Sequence, residues 1–208
     1  MNQTLIITWK NHENPIIKND YNKSLTKAFE IHNSNYKYVL EFGVCTGTTL
    51  MQLRSMFCYP DYIVYGFDSF KGLPEPWLPH IREGAFTTHG QTPEIPDTVI
   101  VPGLFADTIP IFKRMVSSIN GIAVLHVDSD LYSSCKDILY GLNDYIKPNT
   151  IIVFDEWYYN RKDIPENRQH EQKCFYEWIK DCNRTFELIP QAESDVYLSE
   201  RQIVKILS

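Results

Sequence analysis

The sequence predicts an α/β fold with a doubly wound, mostly parallel sheet, and three observations support this prediction. Short apolar runs rich in Val, Ile, Tyr and Phe recur along the chain, which is typical of strands that are covered on both faces. Apolar residues at helical spacing lie between these runs. Two further runs near the end of the chain could close the sheet as an antiparallel pair. Alternation of strand and helix of this kind indicates a doubly wound sheet.

The elements follow in order along the chain. The predicted parallel strands are residues 36–43, 62–68, 97–103, 122–128 and 150–156, and residues 184–190 and 196–207 form the antiparallel pair. The predicted helices carry apolar residues at helical spacing: Tyr21, Leu25, Ala28 and Phe29; Leu50, Leu53 and Phe57; Cys135, Ile138, Leu139, Leu142 and Ile146; Cys174, Phe175, Trp178, Ile179 and Cys182.

Length and composition predict one domain over residues 1–208, with an N-terminal helical region over 1–35 and a long loop over 69–96. The chain has 208 residues, a formal net charge of −6 and no run of Lys or Arg, which argues against a broad nucleic-acid surface. Five cysteines without a CxxC pair indicate free thiols in a reducing compartment. Neither a signal peptide nor a membrane span is evident. We therefore expect a cytoplasmic protein.

The first predicted strand runs into a glycine-containing turn, "LEFGVCTGTTL". Gly43 and Gly47 allow a tight turn and a close approach of the backbone to a ligand, next to the free N–H groups of a helix N-terminus. Their GxxxG spacing differs from the GxGxxG of dinucleotide sites. The turn therefore favours a smaller ligand without phosphates and disfavours an NAD-dependent oxidoreductase, although a tight turn without a ligand is the simpler alternative.

The second and third strands each bring one candidate ligand residue to the same edge of the sheet. Asp68 ends the second strand, where an acidic side chain can accept hydrogen bonds from both hydroxyls of a ribose. Gly103 follows the third strand and permits close approach, beside an adenine ring for example. The alternatives are that Asp68 caps its own loop and that Gly103 precedes a helix capped by Asp107 or Thr108. The long loop over 69–96 is either a lid over the site or a packed, irregular insertion.

Four carboxylates follow the fourth and fifth strands: Asp128 and Asp130, then Asp155 and Glu156. Because adjacent parallel strands lie about 4.8 Å apart, these groups gather at one corner of the sheet. A divalent cation such as Mg²⁺ would relieve their repulsion. Asp130, two residues past the strand end, can instead serve as a general base or as the N-cap of the next helix. We assign no role to His126 inside the fourth strand.

Several motifs together resemble the class I S-adenosylmethionine-dependent methyltransferases, and more narrowly the macrocin O-methyltransferase-like group. These motifs are "LEFGVCTGTT", "YGFDSFKGLPE", "VPGLFADTIP", "HVDSDLY" and "VFDE". The resemblance implies a Rossmann-like sheet of about seven strands with an antiparallel last strand. It also implies methyl transfer to a hydroxyl of a small molecule, often a sugar, with S-adenosyl-L-methionine as cofactor and Mg²⁺ as a second one. A homodimer is compatible with it.

The resemblance also assigns residues to these roles. Asp130 corresponds to the catalytic base, and Asp128, Asp155 and Glu156 correspond to the Mg²⁺ ligands. The cofactor-binding positions are Glu41, Gly43, Thr46, Gly47, Asp68, Ser69, Gly103 and Asp128. Glu156 departs from the family, in which a second Asp is usual, and its longer side chain can either coordinate the cation or swing away from it.

Two other functions remain open at this point. "DSD" at 128–130 resembles the DxD of metal-dependent nucleotide-sugar glycosyltransferases, although that reading leaves the glycine turn and Asp68 unexplained. A non-catalytic nucleoside-binding module would keep the fold without the chemistry. Residues 156–172, including Glu171, either line the acceptor pocket or form a solvated connection.

Overall fold

The computed structural model describes residues 22–157, 170–190 and 201–208. Within these residues the chain forms seven strands and five α-helices. In chain order they are α1 (Lys23–Ile31), β1 (Tyr38–Phe42), α2 (Thr48–Met56), β2 (Ile63–Asp68), β3 (Thr98–Pro102), α3 (Phe105–Met115), β4 (Ile122–Val127), α4 (Tyr132–Gly141), β5 (Ile151–Phe154), α5 (His170–Asp181), β6 (Phe186–Ile189) and β7 (Gln202–Ile206), with a 3₁₀ turn at Ser118–Asn120.

The strands form one sheet in the order β3-β2-β1-β4-β5-β7-β6. Strands β1 to β5 pair in parallel, and β7 runs antiparallel to both β5 and β6. The order reverses between β1 and β4, where a doubly wound sheet opens a crevice at the carboxyl ends of its strands. The predicted mixed sheet, with its last strand antiparallel, is confirmed.

Helices cover both faces of the sheet, because the strands send alternate apolar side chains to opposite sides. In β1, Leu40 and Phe42 pack with α3, α4 and α5, whereas Val39 packs on the other face with α1 and α2. Strand β4 is buried at every residue. The near-continuous apolar runs of the sequence therefore correspond to strands that are covered twice, as predicted.

Most of the predicted helical positions that the structure describes are buried, and Phe29, Ile179 and Cys182 are half-buried. Cys135 and Cys174 are buried thiols on α4 and α5, and all five cysteines are free. Tyr21 of the predicted N-terminal helix lies outside the described residues, as does most of the N-terminal helical region. Among the residues described, no helix has both the length and the apolar character needed to cross a bilayer.

Residues 69–97, which contain the predicted long loop, cross from β2 to β3 almost without regular structure. The predicted cap of the helix after β3 was wrong. Helix α3 begins at Phe105 with Leu104 as its extended N-cap, so neither Asp107 nor Thr108 caps it. Thr108 lies inside the helix because its hydroxyl donates to the carbonyl of Leu104, a back-bonding that competes with a capping role.

Candidate active site

A cavity of about 500 Å³ opens at the carboxyl edge of the sheet, beside the point where the strand order reverses. Its walls come from the turns after β1, β3, β4 and β5, from the end of β2, from the loop over 69–97, and from the first turns of α3 and α4. The residues of the cavity wall that were predicted as functional are Gly43, Asp68, Ser69, Gly103, Asp128, Asp130 and Glu156. One edge of the sheet thus brings the glycine turn and the acidic residues to a single cavity.

The turn after β1 requires glycine at Gly43. Its φ is +95°, and an added Cβ would lie 1.8 Å from the carbonyl oxygen of Asp128. The turns after β1 and β4 therefore touch through their backbones at this point. Gly47, with φ +87°, is the N-cap of α2. Only a residue without a side chain fits the contact at Gly43.

Asp68, at the end of the neighbouring strand β2, binds the turn after β1 through hydrogen bonds. Its Oδ2 accepts hydrogen bonds from the backbone N–H groups of Val44 at 2.9 Å and Cys45 at 2.7 Å, and its Oδ1 accepts one from Phe70 N–H at 2.7 Å. An ionised carboxylate offers about four lone-pair sites, so acceptor capacity remains on the side that faces the cavity. Asp68 caps its own loop, as the simpler alternative held, and also lies in the cavity wall.

The acidic residues form a compact cluster on the opposite side of the cavity. Carboxylate oxygens of Asp128, Asp130 and Glu156 all lie within 4.8 Å of one another. Asp130 has a left-handed backbone with φ +59°, and α4 begins at Tyr132 with Leu131 as its N-cap. Asp130 is therefore not the N-cap of α4, and its carboxylate remains beside the other two.

Burial and like charge raise the pKa values of this acidic cluster. Burial, followed by the charge of Asp155, raises the pKa of Asp130 to about 7. The same two causes raise the pKa of Asp128 well above its usual value. Burial and the charge of Asp128 raise the pKa of Glu156 in the same way, and its Oε2 is buried without a hydrogen-bond partner. Each of these three carboxylates contributes a closely spaced oxygen. Oxygen ligands of this kind suit a hard divalent cation, so the residues fit Mg²⁺.

Asp155 differs from these three residues because it already has cationic partners. Arg201 Nε donates to its Oδ1 at 2.5 Å, and Nε2 of His126 lies 3.5 Å from the same oxygen. Burial alone would raise the pKa of Asp155, but His126 and Arg201 outweigh it and hold that pKa below its usual range. A carboxylate oxygen of Asp155 lies within 4.8 Å of ligand atoms of His126 and Asp128. Asp155 therefore borders the acidic cluster on the side of His126.

Glu41 and His126 form a buried pair behind the cavity. They are register partners on β1 and β4, and both are fully buried. Nδ1 of His126 lies 2.9 Å from Glu41 Oε1. Burial disfavours the charged imidazole, but the carboxylates of Asp155 and Glu41 outweigh it and raise the pKa of His126 to about 10. The charged groups of this pair therefore lie in the core and not in the cavity wall.

Four predicted site residues lie away from the cavity wall: Glu41, Thr46, Gly47 and Asp155. Sequence reasoning also passed over His126, which links Glu41 to the acidic corner. A signal for it exists, because Glu41 and His126 each interrupt an otherwise apolar strand. Two polar residues of opposite charge on neighbouring buried strands predict a pair, since each alone would be costly to bury.

The loop over 69–97 is a packed, irregular insertion, and it also forms part of the cavity wall. Trp77 and Leu78 are buried against Leu131, the residue that follows Asp130. The Ser133 hydroxyl on α4 donates to Glu75 Oε1 at 2.5 Å. Trp77 lines the cavity together with Phe86. The loop, which follows β2 in the chain, therefore packs against the beginning of α4.

Part of this chain matches a family model in sequence, and the fold is similar to that of solved structures. The family model described as macrocin-O-methyltransferase (TylF) matches residues 95–173, a range that contains the whole acidic cluster. No curated protein matches the chain.

Among solved structures, CalS11, a calicheamicin methyltransferase, superposes with a TM-score of 0.62 and 19% identity, over 88% of this chain and 76% of that one. The O-methyltransferase NovP gives 0.60 and 17%, over 89% and 80%. An O-methyltransferase from Bacillus cereus in complex with SAH gives 0.60 and 12%, over 93% and 84%. The fold is thus that of the methyltransferases, and the match over residues 95–173 confirms the resemblance to the macrocin O-methyltransferases that the sequence motifs predict.

Proposed function

We propose that this protein transfers a methyl group from S-adenosyl-L-methionine to a hydroxyl of a small molecule, with a sugar as the acceptor class and a divalent cation as a helper. One observation carries the proposal: the glycine turn fastened by Asp68 and the carboxylates of Asp128, Asp130 and Glu156 line the same cavity. The first set suits a nucleoside, and the second suits activation of a hydroxyl. Their meeting at the crevice of the sheet supports a transfer between the two.

On the cofactor side, the chain offers backbone and carboxylate groups rather than positive charge. Asp68 has acceptor capacity left for the hydroxyls of a ribose, and Ser69 lies beside it in the wall. Gly43 and Gly103 have positive φ values and present backbone to the cavity. A ligand with a ribose and no phosphate fits such a surface. The B. cereus structure in complex with SAH, similar in fold, agrees with this assignment.

On the acceptor side, methyl transfer to oxygen depends mainly on holding the hydroxyl in line with the methyl group. Asp128, Asp130 and Glu156 would each offer one oxygen to Mg²⁺, with Asp155 beside them. The other oxygen of Asp130 would accept the proton of that hydroxyl as general base. A bound divalent cation lowers the pKa of a hydroxyl that it contacts. Trp77 and Phe86, which line the same cavity from the loop over 69–97, would exclude water from the donor and the acceptor.

A sugar acceptor is supported by the chemistry of the cavity wall. Ser129, Ser133 and Ser134 lie in this wall next to the carboxylates, so several groups can hydrogen-bond to a polyhydroxylated molecule. One of the similar structures is described as a TDP-rhamnose 3'-O-methyltransferase. No observation favours the glycosyltransferase, because the DSD sequence falls inside the range matched to macrocin O-methyltransferase. The homodimer and the cytoplasmic location stay predictions.

Calorimetric titration with S-adenosylhomocysteine tests the proposal. We expect micromolar binding by the wild-type protein and a loss of at least about tenfold in Asp68→Ala, since one well-placed hydrogen bond to a charged group contributes about 1.5 kcal/mol or more. Asp144→Ala is the matched control, because Asp144 forms an exposed ion pair with Lys113 far from the cavity. Absence of binding by the wild-type protein, with or without Mg²⁺, would remove the methyltransferase proposal.

A further inference from the structure

Glu171 is a buried carboxylate that sequence reasoning associated with the acceptor pocket, and the structure puts it elsewhere. It lies in the first turn of α5, is fully buried, and is not part of the cavity wall. Its Oε1 accepts hydrogen bonds from the backbone N–H and the hydroxyl of Ser129, each at 3.1 Å. Its Oε2 accepts one from Glu156 N–H at 3.1 Å. One side chain thus joins the turn after β4 to the turn after β5.

The two N–H groups need such a partner because the sheet no longer provides one. Asp128 N–H still donates to Phe42, and Asp155 N–H still donates to Val127, in continuation of the parallel ladder. Ser129 and Glu156 are the next residues of their turns, one residue further from each strand. A buried N–H without an acceptor is costly, so an acceptor placed between the two turns determines how far apart they lie.

The neighbouring residue strengthens the same contact. Nδ1 of His170 accepts a hydrogen bond from Tyr132 N–H, the first residue of α4, at 3.1 Å. That N–H is one of those that a helix N-terminus leaves unpaired. The first turn of α5 therefore holds the segment 129–132 at both ends, with the left-handed Asp130 between the two contacts.

We infer that Glu171 is a positioning residue for the acidic cluster: its carboxylate sets the separation of Asp128 and Glu156, so that both carboxylates and that of Asp130 converge on one divalent cation. The inference rests on the proposed function. Glu171 would contact neither the cation nor the substrates, and would act through the two backbone N–H groups that it binds. Its length and its two oxygens are both needed, since one oxygen serves each turn.

Mn²⁺ affinity, followed by electron paramagnetic resonance, tests the inference with Glu171→Asp. This variant keeps the carboxyl group but is too short to bind both turns. We expect the affinity for Mn²⁺ to fall about 10- to 100-fold, the usual effect of losing a residue that orients metal ligands. Affinity for S-adenosylhomocysteine should stay within about threefold of wild type, because Asp68 and Gly43 are unchanged. A purely structural role would lower the melting temperature and leave Mn²⁺ affinity in the folded protein as it was.

Glu177→Asp is the matched control, with the same change on the same helix. Glu177 accepts a hydrogen bond from the Tyr132 hydroxyl and does not touch the turns after β4 or β5. If Glu171→Asp does not fold, Ser129→Ala replaces it. This variant keeps the Glu171 side chain and removes one of its three hydrogen bonds, and we expect a fall of about threefold in Mn²⁺ affinity.

The inference would be overturned if the folded Glu171→Asp variant bound Mn²⁺ as tightly as the wild-type protein, and the same holds for Ser129→Ala where it replaces that variant. It would also be overturned if the wild-type protein bound no Mn²⁺. These results differ from failure of the proposed function, which would appear as absence of S-adenosylhomocysteine binding by the wild-type protein.

Discussion

The carboxylates on the two sides of the cavity differ in how many hydrogen bonds the protein gives them. On one side, the carboxylate of Asp68 receives three backbone hydrogen bonds, two from the glycine turn and one from its own loop. On the other side, Asp128, Asp130 and Glu156 crowd together, and an oxygen of Glu156 is buried without a partner. The first carboxylate is satisfied by the protein itself, and the second group is not.

This difference indicates which side depends on an added component. The Asp68 side is formed by backbone geometry, so it should be complete in the free protein and should bind a neutral ribose without reorganisation. The acidic side has three close carboxylates, and the cationic side chains that the described residues place beside them, Arg201 and His126, are directed to Asp155. A divalent cation would offset the remaining charge, so the two sides should respond differently to mutation and to divalent ions.

Gly43→Ala should have the largest effect, because it breaks the contact that joins the two sides. The added Cβ would lie 1.8 Å from the backbone oxygen of Asp128, which cannot move without disturbing both turns. We expect a loss of more than about 4 kcal/mol in the free energy of unfolding, or no folded protein. Denaturant unfolding followed by circular dichroism measures it.

The control for this variant separates steric overlap from backbone strain. Gly90 has a similar positive φ of +80°, with open space around its Cα. Gly90→Ala should therefore cost only about 1 kcal/mol, the penalty of the left-handed conformation for a residue with a Cβ. Equal losses in the two variants would show that the contact between the turns after β1 and β4 is not close.

Asp130→Asn should abolish turnover and leave the Asp68 side untouched. Removal of a general base lowers the rate by roughly 10²- to 10⁴-fold. Asn tolerates the left-handed backbone at this position, so the fold should persist. Methyl transfer to a sugar acceptor, measured with labelled S-adenosylmethionine, gives the rate, and calorimetry gives the affinity for S-adenosylhomocysteine.

Asp97→Asn is the matched control for Asp130→Asn, because Asp97 shares the positive φ and pairs with Arg54 away from the cavity. A loss of cofactor affinity in Asp130→Asn that this control does not show would contradict the division of the cavity into two sides. Full activity in Asp130→Asn would refute the role of Asp130 as base.

Glu156→Gln should change stability in opposite directions with and without a divalent cation. Without one, and at a pH above the raised pKa of Glu156, removal of its crowded negative charge should raise the melting temperature by roughly 2–4 °C, which corresponds to about 1 kcal/mol in a domain of this size. With Mn²⁺, the stabilisation seen in the wild-type protein should disappear, since the affinity falls by more than about tenfold. Thermal unfolding with and without Mn²⁺ measures both effects, and Glu187→Gln on the exposed part of β6 is the control. If Mn²⁺ stabilises the Glu156 variant as much as the wild type, Glu156 is not a ligand.

The sheet was predictable from the sequence because its signal is local. Apolar runs such as 122–127 are buried on both faces wherever they lie, and the positions of Gly43, Asp68 and Asp128 at strand ends follow directly from them. The topology then brings those ends to one edge. Most of the predicted wall of the cavity therefore came from strand pattern and residue type alone.

The contacts that set distances were not predictable, because they join distant segments. Nothing near Glu171 in sequence indicates that its two oxygens bind the turns after β4 and β5, at 129 and 156. Likewise, the partnership of Asp155 with Arg201 separates it from the other acids, although all four looked alike as strand-end carboxylates. Pairing across the sheet decides which carboxylate is neutralised, and a single sequence contains no record of that pairing.

Ser133→Ala should have the smallest effect, and it tests whether the loop over 69–97 holds the two sides together. This loop begins at the Asp68 side and reaches the acidic side, where Trp77 and Leu78 pack on Leu131 and the Ser133 hydroxyl donates to Glu75. The apolar contact should dominate, so loss of this exposed hydrogen bond should cost about 0.5–1 kcal/mol of stability and weaken S-adenosylhomocysteine binding by no more than about threefold. Calorimetry and denaturant unfolding measure both quantities, with Thr98→Ala as the control for an exposed hydroxyl that bonds only within its own segment. A tenfold loss of affinity would show that the hydrogen bond, rather than the packing on Leu131, holds the loop in the cavity wall. Binding on the Asp68 side would then depend on a contact made on the acidic side.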